Sequence, residues 1–212
     1  MSGPVETFDA VVLAGGRGSR LGGVDKPALR VGERSLLGSV VGAAAGAGAR
    51  LVVVVGPERR ELAAELGELR VVREEPPGGG PVPAVRTGLA EVGAPWVAVL
   101  AADLPFLRSG QLVSLLAAAR EADAAGAVLA DDTGHLQWLV GCWRTVVLRE
   151  AAGNYQGGSL HGLLWPLRPV VLAPAHDRGG PPPWLDCDTA DDVRLARTWS
   201  NVPAGSEGRK PR

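Results

Sequence analysis

Cysteine is scarce in this chain. Its two copies, Cys142 and Cys187, lie in no CxxC pair and beside no histidine at the spacing of a zinc site, so nothing supports a structural zinc. The three histidines, His135, His161 and His176, are scattered and give no histidine-based metal centre either. Neither sign of charge dominates: 22 Lys and Arg face 23 Asp and Glu, for a formal net charge of -1. A global field that would draw the protein onto nucleic acid or an anionic membrane is therefore absent, and any phosphate binding must be local. No apolar run approaches the roughly 18 residues of a membrane span, and Met1 to Asp9 holds two acids and no basic cluster. A cytoplasmic protein is expected. Aromatic residues are only 4% of the chain, so its 46% hydrophobic content comes mostly from Ala, Val and Leu, residues suited to close-packed strands and helices.

Glycine and proline, in contrast, are plentiful at 30 and 17, so an isolated glycine carries little information here. The 212 residues suffice for one substantial core. One domain over residues 1–200 is expected, with a polar tail, 201–212, ending in GRKPR and disordered.

Strand-like and helix-like stretches alternate along the chain. Phe8–Ala14, Arg50–Val55, Arg70–Arg73 and Trp96–Ala101 read as strands, the first two and the last with the continuous apolar character of a parallel sheet. Between and after them, Leu36–Ala47 behind a Ser35 N-cap, Glu58–Leu66, Ala84–Val92 and Gln111–Ala122 read as helices. Further strands are expected at Ala124–Leu129, Leu136–Trp143 and Val170–Leu172, a short helix from Ser159 to Leu164, and a closing helix Ala190–Trp199 capped by Thr189. The fold class is α/β, a single-domain, doubly wound, mostly parallel sheet of Rossmann-like form, with ligands outside the carboxyl ends of the strands.

Four stretches carry chemistry. The first strand opens into Leu13-Ala14-Gly15-Gly16-Arg17-Gly18-Ser19-Arg20 and continues to Asp25-Lys26-Pro27. Glycines here let several backbone N–H groups turn onto an anion. Arg20 offers a planar fork for phosphate and Lys26 a compact charge. The loop fits neither the Walker A pattern nor a GxGxxG fingerprint. In the second stretch Asp103 follows a buried strand and precedes Leu104-Pro105, where a carboxylate can hold Mg²⁺ or simply cap a turn. The third, Leu185-Asp186-Cys187-Asp188-Thr189, leads into Asp192; Thr189 and Asp192 read as a capping box, and Asp188 as a second carboxylate across the cleft. The fourth runs from Glu74 to Ala84 through Gly80-Pro81, with a length suited to a loop over a ligand or to a flexible linker.

Together LAGGRGSRLGGVDKP, GGGP before a helix, AADLPFL, GGSLHGLL and DCDTADDV stand in the order seen in MobA-like nucleotidyltransferases, over about residues 9–197. The form of the first loop, with GGSL and DxDT downstream, most resembles molybdenum cofactor guanylyltransferase. That resemblance implies GTP with its base near Leu13, Ala14 and Gly15, phosphates along Gly16, Gly18 and Lys26, and Mg²⁺ on Asp103 with Asp188 nearby. It implies that Glu75 and Gly80-Pro81 line the nucleoside side, and that Gly158, Ser159 and Asp188 face a molybdopterin-type acceptor. Arg20, Lys26 and Asp103 are then the catalytic set, and transient contact with molybdoenzymes or cofactor-biosynthesis proteins is expected. Positions departing from the family include Val55-Gly56 where members often have Asn, Glu75 where they often have Asp, Gln137 where a Pro is common in the acceptor segment, and Gly158 where an Arg is common. Two rivals stay open: a cytidylyltransferase or a guanylyltransferase for another phosphorylated acceptor, and a non-catalytic nucleotide-binding module.

Overall fold

A computed structural model of the chain describes residues 7–15, 24–62, 65, 69–74, 77–173 and 180–201. In chain order these form β1 (Phe8–Leu13), a hairpin of β2 (Arg30–Val31) and β3 (Arg34–Ser35), α1 (Leu36–Gly46), β4 (Val52–Val55), β5 (Arg70–Val72), α2 (Pro81–Glu91), β6 (Trp96–Ala101) and α3 (Ser109–Glu121). Then follow β7 (Gly126–Ala130), β8 (Leu136–Arg144), α4 (Thr145–Asn154), α5 (Leu160–Leu164), β9 (Val170–Leu172) and α6 (Ala190–Ser200). Single 3₁₀ turns stand at Lys26–Ala28 and Arg60–Leu62, among others.

Seven strands make one sheet in the order β5-β4-β1-β6-β8-β7-β9. Of these, β8 runs antiparallel to both its neighbours, and the other pairings are parallel. The α/β, mostly parallel expectation holds. Alternation along the strands explains why helices cover both faces. Ala10, Val12, Val54, Ala98 and Leu100 pack with Leu37 and Val40 of α1 and Leu112 and Leu115 of α3. Their neighbours Val11, Val53, Val55, Val97 and Val99 pack with Val85 and Leu89 of α2 and Leu148 of α4.

Local chemistry sets the helix starts. Ser35 Oγ accepts from Gly38 N at 2.9 Å, as its place before α1 predicts. Thr189 and Asp192 cap α6 reciprocally: Thr189 N donates to Asp192 Oδ2 at 2.7 Å and Asp192 N to Thr189 Oγ1 at 3.2 Å. The helix expected from Ala84 instead begins at Pro81, because a proline in the first turn sacrifices only an N–H that has no intrahelical partner. Gly80 before it has φ 96°, a conformation that favours glycine. Where a helix was expected over Glu58–Leu66, Arg60–Leu62 forms a single 3₁₀ turn. The β2–β3 hairpin and α4 are elements that the sequence reading did not foresee. Of the expected tail, all but Asn201 lies outside the described residues. Among the described residues no helix is long and apolar enough to cross a membrane.

The antiparallel path of β8 matters for function. Leu100 of β6 lies opposite Val140, so the first residues of β8 reach the edge where β1, β4, β5 and β6 end. That edge holds a cleft.

Candidate active site

A cleft of about 650 Å³ opens at the carboxyl ends of the parallel strands. Leu13 and Gly15 come to it from β1, Ala101 to Asp103 from β6, and Gly80 and Pro81 from the start of α2. Lys26 and Asp188 enter from separate loops, and Leu139 from β8.

Each polar group is set by its neighbours. Ala102 N donates to Leu13 O at 3.1 Å, carrying the β1–β6 ladder one step past the strand. Ala102 and Leu104 are both buried in the core, so Asp103 leaves the sheet between two anchored points. Lys26 starts a 3₁₀ turn whose next residue, Pro27, is buried. Asp188 stands between fully buried Cys187 and the cap residue Thr189.

These three side chains meet. The Lys26 ammonium donates to Asp103 Oδ2 and, at 2.5 Å, to Asp188 Oδ1. The Lys26 and Asp103 side chains are 16% and 18% exposed, so water screens this contact weakly, whereas Asp188 is 45% exposed. Burial alone would lower the Lys26 pKa, but the Asp103 and Asp188 carboxylates outweigh it and raise it. Loss of water around the Asp186 carboxyl, then the charges of Asp188 and Asp103, push Asp186 upward. Burial, with Asp103 next, pushes the Cys187 thiol up to about 12, so the cysteine is an inert packing group. Asp103 Oδ1 is buried with no hydrogen-bond partner among the described residues. An orphaned carboxylate oxygen beside a second acid suits a hard cation that takes few protein ligands. No group of three or more His, Cys, Asp or Glu side chains gathers among the described residues to hold a metal by itself.

Of the residues singled out in the sequence, Leu13, Gly15, Lys26, Gly80, Pro81, Asp103 and Asp188 all line this one cleft. Ala14 lies beneath it, buried, with its N–H on Val55 O at 2.8 Å. Gly158 and Ser159 do not line the cleft: Ser159 caps α5 by accepting from Gly162 N at 3.1 Å, and lies 3.3 Å from the Tyr155 hydroxyl. Gly16, Gly18, Arg20 and Glu75 lie outside the described residues.

Two further positions, one in the cleft wall and one beside the first strand's exit, are not picked out by the sequence reading. Glu74, 8% exposed, lines the cleft and accepts from Gly78 N at 2.8 Å through Oε1. The sequence offers two adjacent glutamates, 74 and 75, with no local signal to choose between them. Arg59, also 8% exposed, is bonded to the carboxylate of Asp25. Nothing in its sequence surroundings, a charged run read as a helix, marked it.

The family described as the MobA-like NTP transferase domain matches residues 10–169. The "Probable molybdenum cofactor guanylyltransferase" of Natronomonas pharaonis is 36% identical over 118 residues, 54% of this chain and 58% of that protein. The "Molybdenum cofactor guanylyltransferase" of a Bradyrhizobium species is 36% identical over 146 residues, 66% of this chain and 67% of that protein. The "Bifunctional protein GlmU" of Xanthobacter autotrophicus is 38% identical over 151 residues, 66% of this chain but only 34% of that protein. The chain thus spans little more than half the length of the first relative and about a third of the last. Among solved structures, a nucleotidyl transferase from Methanothermobacter superposes with a TM-score of 0.73 at 23% identity, over 92% of this chain and 97% of that one, a likeness of fold.

Proposed function

The chain belongs to the MobA-like NTP transferase family, and from that premise we propose that it transfers GMP from GTP to the terminal phosphate of a molybdopterin-bound molybdenum acceptor, releasing pyrophosphate. An oxygen of the acceptor phosphate attacks the α-phosphorus of GTP, that P–O bond forms as the α–β bridge breaks, and the electron pair leaves with pyrophosphate. The acceptor is already anionic, so the reaction needs no protein nucleophile; it needs alignment and relief of charge.

The observation that carries this reading is the meeting of Lys26, Asp103 and Asp188 beside the first strand's glycine-rich exit. Lys26 meets the phosphates as a compact cation, with Arg20 of the same loop as the second positive group. Asp103 and Asp188 would hold Mg²⁺, consistent with the unpartnered Asp103 oxygen; when bound, the ion neutralises phosphate charge. Leu13, Gly15, Gly80 and Pro81 enclose the nucleoside, and Glu74 favours guanine because a carboxylate accepts from the adjacent N1–H and N2–H groups of that base. The names of the Natronomonas and Bradyrhizobium relatives support the same acceptor, and the product would pass on to molybdoenzymes.

Pyrophosphate release by purified protein with Mg²⁺ and molybdenum-loaded molybdopterin, comparing GTP, CTP, ATP and UTP, tests the proposal. Release with GTP and appearance of the guanine dinucleotide form is the expected result. A preference for CTP would overturn the base assignment, and no release with any nucleotide would overturn the acceptor.

A further inference from the structure

We propose that Arg59 is a positioning residue that fixes the span between the two stems of the glycine-rich loop and so sets Lys26 against the nucleotide phosphates. This inference rests on reading that loop as the phosphate site. Arg59 lies just after β4, and its side chain makes four hydrogen bonds among the described residues. Its Nε and Nη2 grip Asp25 Oδ2 and Oδ1 at 2.6 and 2.7 Å, Nη2 also donates to Ala14 O at 3.0 Å, and Nη1 donates to Pro57 O at 3.1 Å. Ala14 ends the incoming stem of the loop, and Asp25 is the residue before Lys26 on the outgoing stem. One guanidinium therefore joins both stems to the turn after β4.

Three features show that this clamp acts through its neighbours rather than on substrate. The Arg59 side chain is 5% exposed, and its hydrogen bonds engage all three of its nitrogens. Asp25 occupies the N-cap position of the Lys26–Ala28 turn yet makes no side-chain cap bond; its two oxygens serve Arg59 instead. The turn carrying Arg59 is itself pressed onto the first stem: a Cβ at Gly56 would stand 2.7 Å from Ala14 O and 3.0 Å from Gly15 N, so only glycine fits there. Lysine cannot replace this arginine, because one ammonium cannot reproduce a planar fork on a carboxylate while also reaching two carbonyls.

Full-length wild type, Arg59→Lys, Arg59→Met and the neighbouring surface control Arg60→Met are compared for binding of inorganic tripolyphosphate and of each nucleoside triphosphate by calorimetry, and for pyrophosphate release. Both Arg59 variants should bind tripolyphosphate and GTP about tenfold or more weakly, since a small misplacement of a phosphate-binding group is costly, with the acceptor KM unchanged and Arg60→Met like wild type. In an Asp25→Asn background the Arg59→Met loss should shrink to under about threefold, because the two act as one unit. Arg59 variants that melt earlier but, while still folded, bind tripolyphosphate within twofold of wild type would overturn the positioning role. If wild type prefers a base other than guanine, the guanylyl reading falls while the tripolyphosphate comparison still decides Arg59; a wild type that binds neither tripolyphosphate nor any nucleotide overturns both.

Discussion

The Lys26 ammonium, 77 positions away in sequence, is bonded to the Asp103 carboxylate, and Asp188 meets the same ammonium from 162 positions away at 2.5 Å. Among the described residues one ammonium thus bridges two carboxylates that enter the cleft from different loops.

Asp103→Asn tests which group does the chemistry. The amide keeps the shape of the side chain and removes its charge, so the fold should persist. Turnover should fall by about 10²-fold or more, in line with losing one charge-stabilising group at a phosphoryl centre, while nucleotide affinity falls by less. Steady-state pyrophosphate release with parallel calorimetry reads both numbers. Loss of neither would make Asp103 a structural turn residue.

Glu74→Gln separates base recognition from catalysis. Glu74 is buried at the cleft wall, and the Gly78 N–H already holds Oε1 in place. If Glu74 accepts from guanine as proposed, replacing the carboxylate by an amide removes that charge-assisted acceptance, so KM for GTP should rise about tenfold or more with kcat little changed. A fall in kcat at constant KM would place Glu74 in the reacting centre instead.

Much of this site was legible because its chemistry is local in sequence. A strand running straight into Gly15, an acid closing a buried strand at Asp103, and the Thr189–Asp192 box beside Asp188 each announce themselves within a few residues. What was not legible depends on tertiary geometry. Arg59 is one charged residue in a charged run until the fold brings Asp25 to it. The α4 helix follows β8 with no turn between them, Arg144 ending one and Thr145 opening the other, so no Gly or Pro punctuates the change of period. The start of α2 was hidden by the opposite effect, since Pro81 and Pro83 look like loop residues but the first turn of a helix accepts them.

Asp9, fully buried at the other edge of β1, should matter for stability and not for turnover. Its Oδ2 accepts from Gly93 N and Ala94 N at 2.8 Å, and Arg50 donates to both oxygens. Burial works to raise its pKa, yet the Arg50 bonds and the two backbone N–H groups hold it below the usual 3.8. A carboxyl whose pKa is depressed on folding stabilises the protein above its unfolded value, and that contribution fades as pH falls through the native value. Asp9→Asn should therefore cost about 1–3 kcal/mol near neutral pH, the scale of hydrogen bonds to a charged group, and the gap to wild type should narrow below pH 3.8. Urea titrations from pH 7 to 3 measure it; a gap independent of pH would mean that shape, not charge, is what Asp9 supplies.

Gly88 links core packing to the cleft. A Cβ at this position of α2 would lie 2.3 and 3.0 Å from the two methyl carbons of Val11 and 3.1 Å from a Val55 methyl, all fully buried. Gly88→Ala should therefore cost about 1–3 kcal/mol by overpacking. Because α2 begins at Pro81 on the cleft wall, any retreat of the helix should also raise the nucleotide KM. Val11→Ala removes the methyls that would be struck, at the cost of its own cavity. If the helix rests on Val11 as the distances indicate, the Gly88→Ala and Val11→Ala pair should be little less stable than Val11→Ala alone, with the nucleotide KM restored. Thermal melts of the three variants decide this: a double variant losing the sum of the two single losses would mean that α2 meets the sheet elsewhere.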